Sequence, residues 1–181
     1  MDKLIQNFNY SLQTGYIDKN ILSDSRYQPE LLVNQKNPPK KVLSTIIHEF
    51  ENCTEFSISV AFVTTSGVAT IINKLKELES REIKGKILVS QYLNFTQPEA
   101  LKRLLKFKNI DLRIATTGNA HSKAYIFKNN EHYNLIVGSS NLTAQALATN
   151  KEWNIKVSGL AESGIVDKVL NEFQSDFEKA T

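Results

Sequence analysis

A histidine and a lysine two residues apart, His121 and Lys123, open the most chemically loaded stretch of the chain. A Gly-Ser-Ser-Asn-Leu-Thr run follows at 138–143, and Glu152 stands beside the single tryptophan, Trp153. Residues two apart on a strand share a face, so His121 and Lys123 are expected to project together from a strand over 121–128, with Tyr125 and Phe127 continuing that face. An imidazole beside a fixed ammonium suits phosphoryl chemistry. A ring nitrogen attacks phosphorus while the cation neutralises a nonbridging oxygen in the pentacoordinate state. Gly138 permits a tight turn or a close backbone approach. Ser139 and Asn141 are again two apart, and their hydroxyl and carboxamide would complete a phosphate cradle. Glu152, expected to open the next strand, suits an acceptor for the second ring nitrogen of a histidine, fixing its tautomer and stabilising the imidazolium.

The surrounding pattern supplies elements that would hold these groups. Residues 1–40 are polar and mixed and end in 35-QKNPPKK-41, where the proline pair breaks regular structure. They read as an arm or subdomain before a main domain at 41–181. Ile21, Leu22, Leu31, Leu32 and Val33 suggest that the arm packs on something. Val42, Leu43, Ile46, Ile47 and Phe50 form a helical stripe, and 56-FSISVAFV-63 alternates as a strand does. Val68, Ile71, Ile72, Leu75 and Leu78 give a second amphipathic helix. Thr64, Thr65 and Ser66 offer its N-cap, in a loop of the kind where α/β proteins bind ligands. A buried strand at 86–90 follows. Thr96 and Glu99 have capping-box spacing, with Pro98 in the first turn, for a helix running to about Phe107. Strands are expected at 110–114, 121–128, 132–138 and 152–157. A last helix carries Ile165, Val166, Val169, Leu170, Phe173 and Phe177 on one face. This order predicts an α/β fold: a mixed β-sheet flanked by helices, parallel in its first part and antiparallel later.

The chain has 181 residues, enough for one full domain with a real core. Its formal charge of +3 is weak evidence for a polyanionic partner. The lone cysteine, Cys53, excludes an internal disulfide framework and any multi-cysteine metal site, and reads as a small buried residue. No apolar run reaches membrane-spanning length and the first residues lack a signal-like apolar core. These features point to a cytoplasmic protein without a membrane. Trp153 and the phenylalanines read as core, and 102-KRLLKFK-108 as a solvated helix face.

His121-x-Lys123, then Gly138-Ser139-x-Asn141-x-Thr143, then Glu152 eleven residues after the asparagine resembles the signature of the phospholipase D superfamily. Within it the chain resembles small bacterial nucleases and metal-independent restriction endonucleases. The segments 56-FSISVAFVTTSGV-68, 138-GSSNLTAQAL-147 and 150-NKEWN-154 resemble the phospholipase D-like domain at the N-terminus of bacterial DEAD/DEAH helicase-restriction proteins, a similarity running from about residue 16 to the end. The resemblance implies a phospholipase D/nuclease-like fold and a chain that is the front of a longer protein with a C-terminal helicase region. It makes His121 the nucleophile that forms a phosphohistidine. Lys123, Ser139 and Asn141 would bind the phosphate, and Glu152 would orient the histidine. It implies no cofactor and no metal, and the sequence offers no metal cage.

One position departs from that signature. The aspartate expected five residues after the lysine is Lys128, which removes a supporting carboxylate and adds a charge that suits a polyanion. A complete site of this kind needs one histidine to attack and another to protonate the leaving oxygen. Neither His48 nor His132 has a lysine two residues on. The implied assembly is therefore a homodimer pairing two copies of His121 across a two-fold axis, with a bell-shaped pH profile. The expected activity is a DNA-cutting, metal-independent phosphodiesterase in a restriction or repair system, with RNA left open as a substrate. The alternative is a catalytically silent DNA-binding or dimerisation module of a helicase. Lipid phosphodiester hydrolysis is disfavoured by the lack of a membrane-facing apolar segment.

Overall fold

The computed structural model describes residues 2–37, 39–116 and 120–181, so Pro38 of the proline pair lies outside the described residues. In chain order the elements are α1 (Asp2–Tyr16), β1 (Glu30–Leu32), β2 (Gln35–Lys36), β3 (Pro39–Lys40), α2 (Val42–Asn52), β4 (Glu55–Val60), α3 (Thr65–Ser80) and β5 (Lys84–Ser90). Then follow α4 (Pro98–Leu104), β6 (Ile110–Ala115), β7 (Ala124–Lys128), β8 (Tyr133–Gly138), α5 (Ala144–Ala148), β9 (Asn154–Gly159) and α6 (Gly164–Lys179). Seven strands form one sheet in the order β1-β9-β8-β7-β4-β5-β6. The pairs β4–β5 and β5–β6 are parallel, while β4–β7, β7–β8, β8–β9 and β9–β1 are antiparallel. This is the mixed sheet that the alternating helical and extended patterns predict.

Strand alternation divides the core. Ile58, Tyr125, Phe127 and Ile136 point to the side covered by α2, α3, α4 and α5. There the Phe50 ring meets Phe56 and Phe127 edge to face, each at 5.2 Å between centroids. Leu88, Ile126 and Leu135 point the other way, onto Val166, Phe173 and Phe177 of α6. Cys53 is buried, and burial pushes its thiol up to about 11, so it stays an inert apolar group.

The arm holds a helix that the apolar pattern hides. Leu4, Asn7, Phe8 and Ser11 sit inward at helical spacing, but two of the four are polar. The Phe8 ring stacks edge-on against Tyr27 at 4.9 Å, and Ser11 Oγ donates to the Asp24 carbonyl at 3.0 Å. Of the arm's apolar residues Leu32 is buried, whereas Leu22 and Leu31 are exposed. Asn34 ties the arm to the sheet's helical side. Its amide donates to the carbonyls of Ala146 and Asn150, each at 2.8 Å, and its oxygen accepts from Val42 N at 2.9 Å.

The expected capping box at Thr96 is not formed. Thr96 Oγ1 donates to the Ser90 carbonyl at 3.1 Å, so Gln97 precedes the helix without a side-chain cap. Thr64 does cap α3, accepting from Gly67 N at 3.1 Å.

Candidate active site

The signature residues gather at one rim of the sheet, where β4 ends and β7 begins. Ser59 pairs with Ala124, and the next turn of chain carries Lys123, Ser122 and His121. Strand β7 begins at Ala124, so His121 and Lys123 precede it and are not inside a strand as the alternation suggested. The Lys123 carbonyl still accepts from Gly138 N at 3.1 Å, and the side-chain alternation carries through. Lys123 therefore shares the side of Tyr125 and Phe127 and is only 5% exposed. Its Nζ lies 2.7 Å from His121 Nδ1 and 2.9 Å from Nε2, and donates to the His121 carbonyl at 2.7 Å. A neutral imidazole has one acceptor nitrogen, so the ammonium donates to one of the two at a time, and the tautomer sets which. Burial pulls the Lys123 ammonium below its ordinary value, while the Glu152 charge pushes it back up.

Asn141 is held by backbone. Its Oδ1 accepts from Ala61 N at 3.0 Å and Phe62 N at 3.2 Å, in the loop after β4. With the oxygen committed, the amide Nδ2 is the group left to donate. The same loops are stitched by Thr64 N donating to the Leu142 carbonyl at 3.2 Å and by a parallel bridge between Val63 and Leu142. Gly67, in the first turn of α3, makes that approach possible. A Cβ there would lie 1.9 Å from the Leu142 carbonyl oxygen.

Ser139 donates to Glu152, and its oxygen accepts from Trp153 N at 3.1 Å. Glu152 precedes β9, which begins at Asn154, instead of opening that strand. Gly138 serves close approach as its residue type suggests, since a Cβ there would meet the Trp153 carbonyl at 2.2 Å. Ser139, Asn141 and Glu152 thus belong to one locality with His121 and Lys123.

The hydrogen bonds that hold these loops in place have no counterpart in the sequence pattern. Tyr125 Oη, fully buried, donates to the Ser140 carbonyl at 3.1 Å, and burial with the nearby Glu152 charge drives its phenol far above the ordinary value. Asn154 grips Ser140 twice, its oxygen accepting from Ser140 N at 3.2 Å and its amide donating to Ser140 Oγ at 2.8 Å. Ser140, between the two cradle residues, is consequently locked inward while Ser139 faces out. Thr143 caps α5 through Ala146 N at 3.0 Å. The available signal was the polar residue lying between two phosphate candidates, which alternation must turn into the protein.

Lys128 stands at the far end of β7 and pairs with Glu55 at 2.9 Å, so its charge does not reach the cradle. Lys106 and Lys108 likewise lie in the turn leading to the start of β6, at the opposite rim. Trp153 is 62% exposed and not core, because it sits beside Ile155 on the sheet face that α6 leaves bare. Among the described residues no cluster of metal-ligating side chains forms, and no helix is long and apolar enough to cross a membrane.

The remaining histidines lie elsewhere. His48 is exposed on α2. His132 follows the β7–β8 turn, a strand's length from His121, with its ring edge-on to Tyr27 at 5.2 Å and its Nε2 3.1 Å from Asn129 Nδ2. Burial lowers the His132 imidazole from its ordinary value of 6.5; Glu49 and Glu131 oppose the shift, and Lys156 and Arg26 add to it. The unfolded chain therefore takes up this proton first as pH falls, so stability at this position is full above about pH 6.5 and is lost below it. His132→Gln is expected to flatten the fall in Tm between about pH 7 and about pH 5; an unchanged slope would show that another group governs it.

The chain belongs to the phospholipase D-like family: the family model described as "Cardiolipin synthase, PLD-like domain" matches residues 46–179. The same fold recurs in solved structures. NucT from Helicobacter pylori superposes with a TM-score of 0.64 at 19% identity, covering 85% of this chain and 98% of that one. Nuc from Salmonella typhimurium, a phospholipase D family member, gives 0.63 at 17% identity, covering 85% and 97%. Phosphatidylserine synthase from Haemophilus influenzae gives 0.63 at 15% identity over 85% of this chain and 39% of that chain. No curated protein sequence matches significantly.

Proposed function

We propose that the chain is a metal-independent phosphodiesterase that cuts DNA, or RNA, through a covalent intermediate on His121. The observation that carries this is the buried Lys123 ammonium in contact with the His121 ring, at a rim where the Asn141 amide also presents a donor and Glu152 holds the Ser139 hydroxyl. In the first step a neutral ring nitrogen of His121 attacks phosphorus. Charge building on the nonbridging oxygens is met by Lys123 and Asn141 Nδ2, and by the Ser139 hydroxyl as it turns from Glu152 to the phosphate. The phosphorus–oxygen bond to the leaving group breaks, and a second imidazolium gives that oxygen its proton. Water then attacks the phosphohistidine, gives a proton back to the second ring and releases the phosphate monoester. Glu152 orients the histidine ring and stabilises its cation.

The second imidazole comes from another copy of the chain. An exposed apolar band beside the site supports this pairing. Leu31, Ile155 and Val137 are direct cross-strand neighbours on β1, β9 and β8, all exposed, with Trp153 next along the same face. Such a band suits a self-complementary contact across a two-fold axis. The similarity of segments 56–68, 138–147 and 150–154 to helicase-restriction proteins supports a role as the nuclease module of a helicase-linked restriction or repair protein.

The test is incubation with plasmid DNA, single-stranded DNA and RNA in excess EDTA, with His121→Ala as control. Cutting that survives the chelator and disappears in the control is expected. Salt-dependent DNA binding without cutting would assign a silent binding module instead.

A further inference from the structure

The loop between β5 and α4 combines backbone strain, bare aromatic surface and attachment to the phosphate cradle. Leu93 and Asn94 both have positive φ, 49° and 56°, although neither is glycine. Left-handed backbone is costly for a branched side chain such as leucine, and it persists where surrounding contacts enforce it. The enforcing contacts are identifiable. Gln97 N donates to the Val63 carbonyl at 3.0 Å, and Gln97 Oε1 accepts from Thr65 N at 2.7 Å. Thr96 Oγ1 holds the Ser90 carbonyl.

What the strained loop presents is apolar and open. Phe95 is 54% exposed and Leu93 65% exposed, although phenylalanines were expected to be core. The Phe95 ring stands edge-on against Phe62 at 5.5 Å and 66°, and Phe62 N is one of the two backbone donors that fix Asn141. The ring pair is therefore joined to the cradle through a single residue. The same loop also lines a cavity of about 320 Å³, with Pro98, Leu101 and Ile114 as apolar wall and Gln91, Asn94 and Thr96 as polar wall. Carboxamides and a hydroxyl over an apolar wall match a nucleobase, which offers a flat π-face and hydrogen-bonding edges.

We propose that the 91–97 loop is a nucleobase platform: an unpaired base next to the scissile phosphate stacks on Phe95, with its edge read by Gln91 or Asn94. This rests on the phosphodiesterase reading and names the substrate of that same site, a single-stranded nucleic acid or a locally unpaired segment. Bases inside a duplex already have both faces covered, so an exposed ring selects for unpaired ones.

The test uses the whole chain carrying His121→Ala, so that nucleic acid is bound and not cut. The probes are single-stranded DNA and RNA oligonucleotides with one 2-aminopurine, and the matching duplex. Binding is expected to quench the fluorescent base and to favour the single strand. Phe95→Leu, which keeps an apolar side chain, is expected to remove the quench and to lower the preference for single strand over duplex about tenfold, and Phe95→Trp to restore both. Equal quenching in Phe95→Leu, or an equal loss on duplex, overturns the platform. So does a Phe95-dependent attachment to anionic phospholipid vesicles without quenching, which would assign the loop to a membrane surface. Hydrolysis of bis(p-nitrophenyl) phosphate by the unsubstituted chain in EDTA is read in parallel. Hydrolysis without ring-dependent quenching sinks the platform alone, and quenching without hydrolysis sinks only the catalytic reading.

Discussion

Hydrolysis by the His121→Ala chain is expected to fall at least about 10⁴-fold, because removing the proposed nucleophile ends the covalent route. Mixing gives the sharper result. If each centre needs two copies of His121, a mixed dimer holds an attacking ring without a proton donor, or the reverse, and is inactive. Equal amounts of unsubstituted and His121→Ala chains, unfolded and refolded together, then retain only about a quarter of the activity, since only dimers with two intact chains work. A chain that works alone would keep about half. Activity at one half overturns the shared centre while leaving His121 as nucleophile, and unaffected hydrolysis in His121→Ala overturns both.

That outcome depends on how the signature is mounted. His121 is exposed and its neighbour Lys123 is buried. The His121 ring can reach outward to a second molecule while the Lys123 ammonium stays fixed against the sheet. The apolar band of Leu31, Val137, Trp153 and Ile155 lies next to the same rim, so a contact built there would bring the two rings toward each other.

The sheet and its covering helices were legible because their apolar residues recur at strand or helix spacing over long runs. The candidate site was legible as residue types, since His121, Lys123, Ser139, Asn141 and Glu152 carry their chemistry in their side chains. What spacing could not convey was which groups hold those side chains. Asn141 is fixed by the amides of Ala61 and Phe62, and backbone donors have no sequence signal. Trp153 lies outside the core, and hydrophobicity alone does not reveal which end of β9 stays exposed, as Ile155 beside it does. The helix α1 was hidden because its inward stripe includes Asn7 and Ser11, satisfied by contacts that only the fold creates.

The buried polar group under α2 makes the largest stability prediction. Glu49 is 2% exposed in a helix whose other inward residues are apolar, and Lys156 rises to meet it from the middle of β9. Their ion pair is 3.0 Å long. The second carboxylate oxygen of Glu49 accepts from Asn134 Nδ2 at 2.6 Å, and Asn134 in turn accepts from Ser158 at 2.5 Å. The pair repays its desolvation only while both members are present. Lys156→Met leaves a carboxylate buried without its cation, and is expected to cost about 3–5 kcal/mol, or roughly 10 °C in Tm for a domain of this size. Adding Glu49→Leu removes the stranded charge and is expected to recover most of that loss, although Asn134 then needs water or Ser158 alone. Urea unfolding of the single and double variants measures both quantities. A single-variant loss below about 1 kcal/mol would mean that water reaches the pair and that α2 does not seal this part of the sheet.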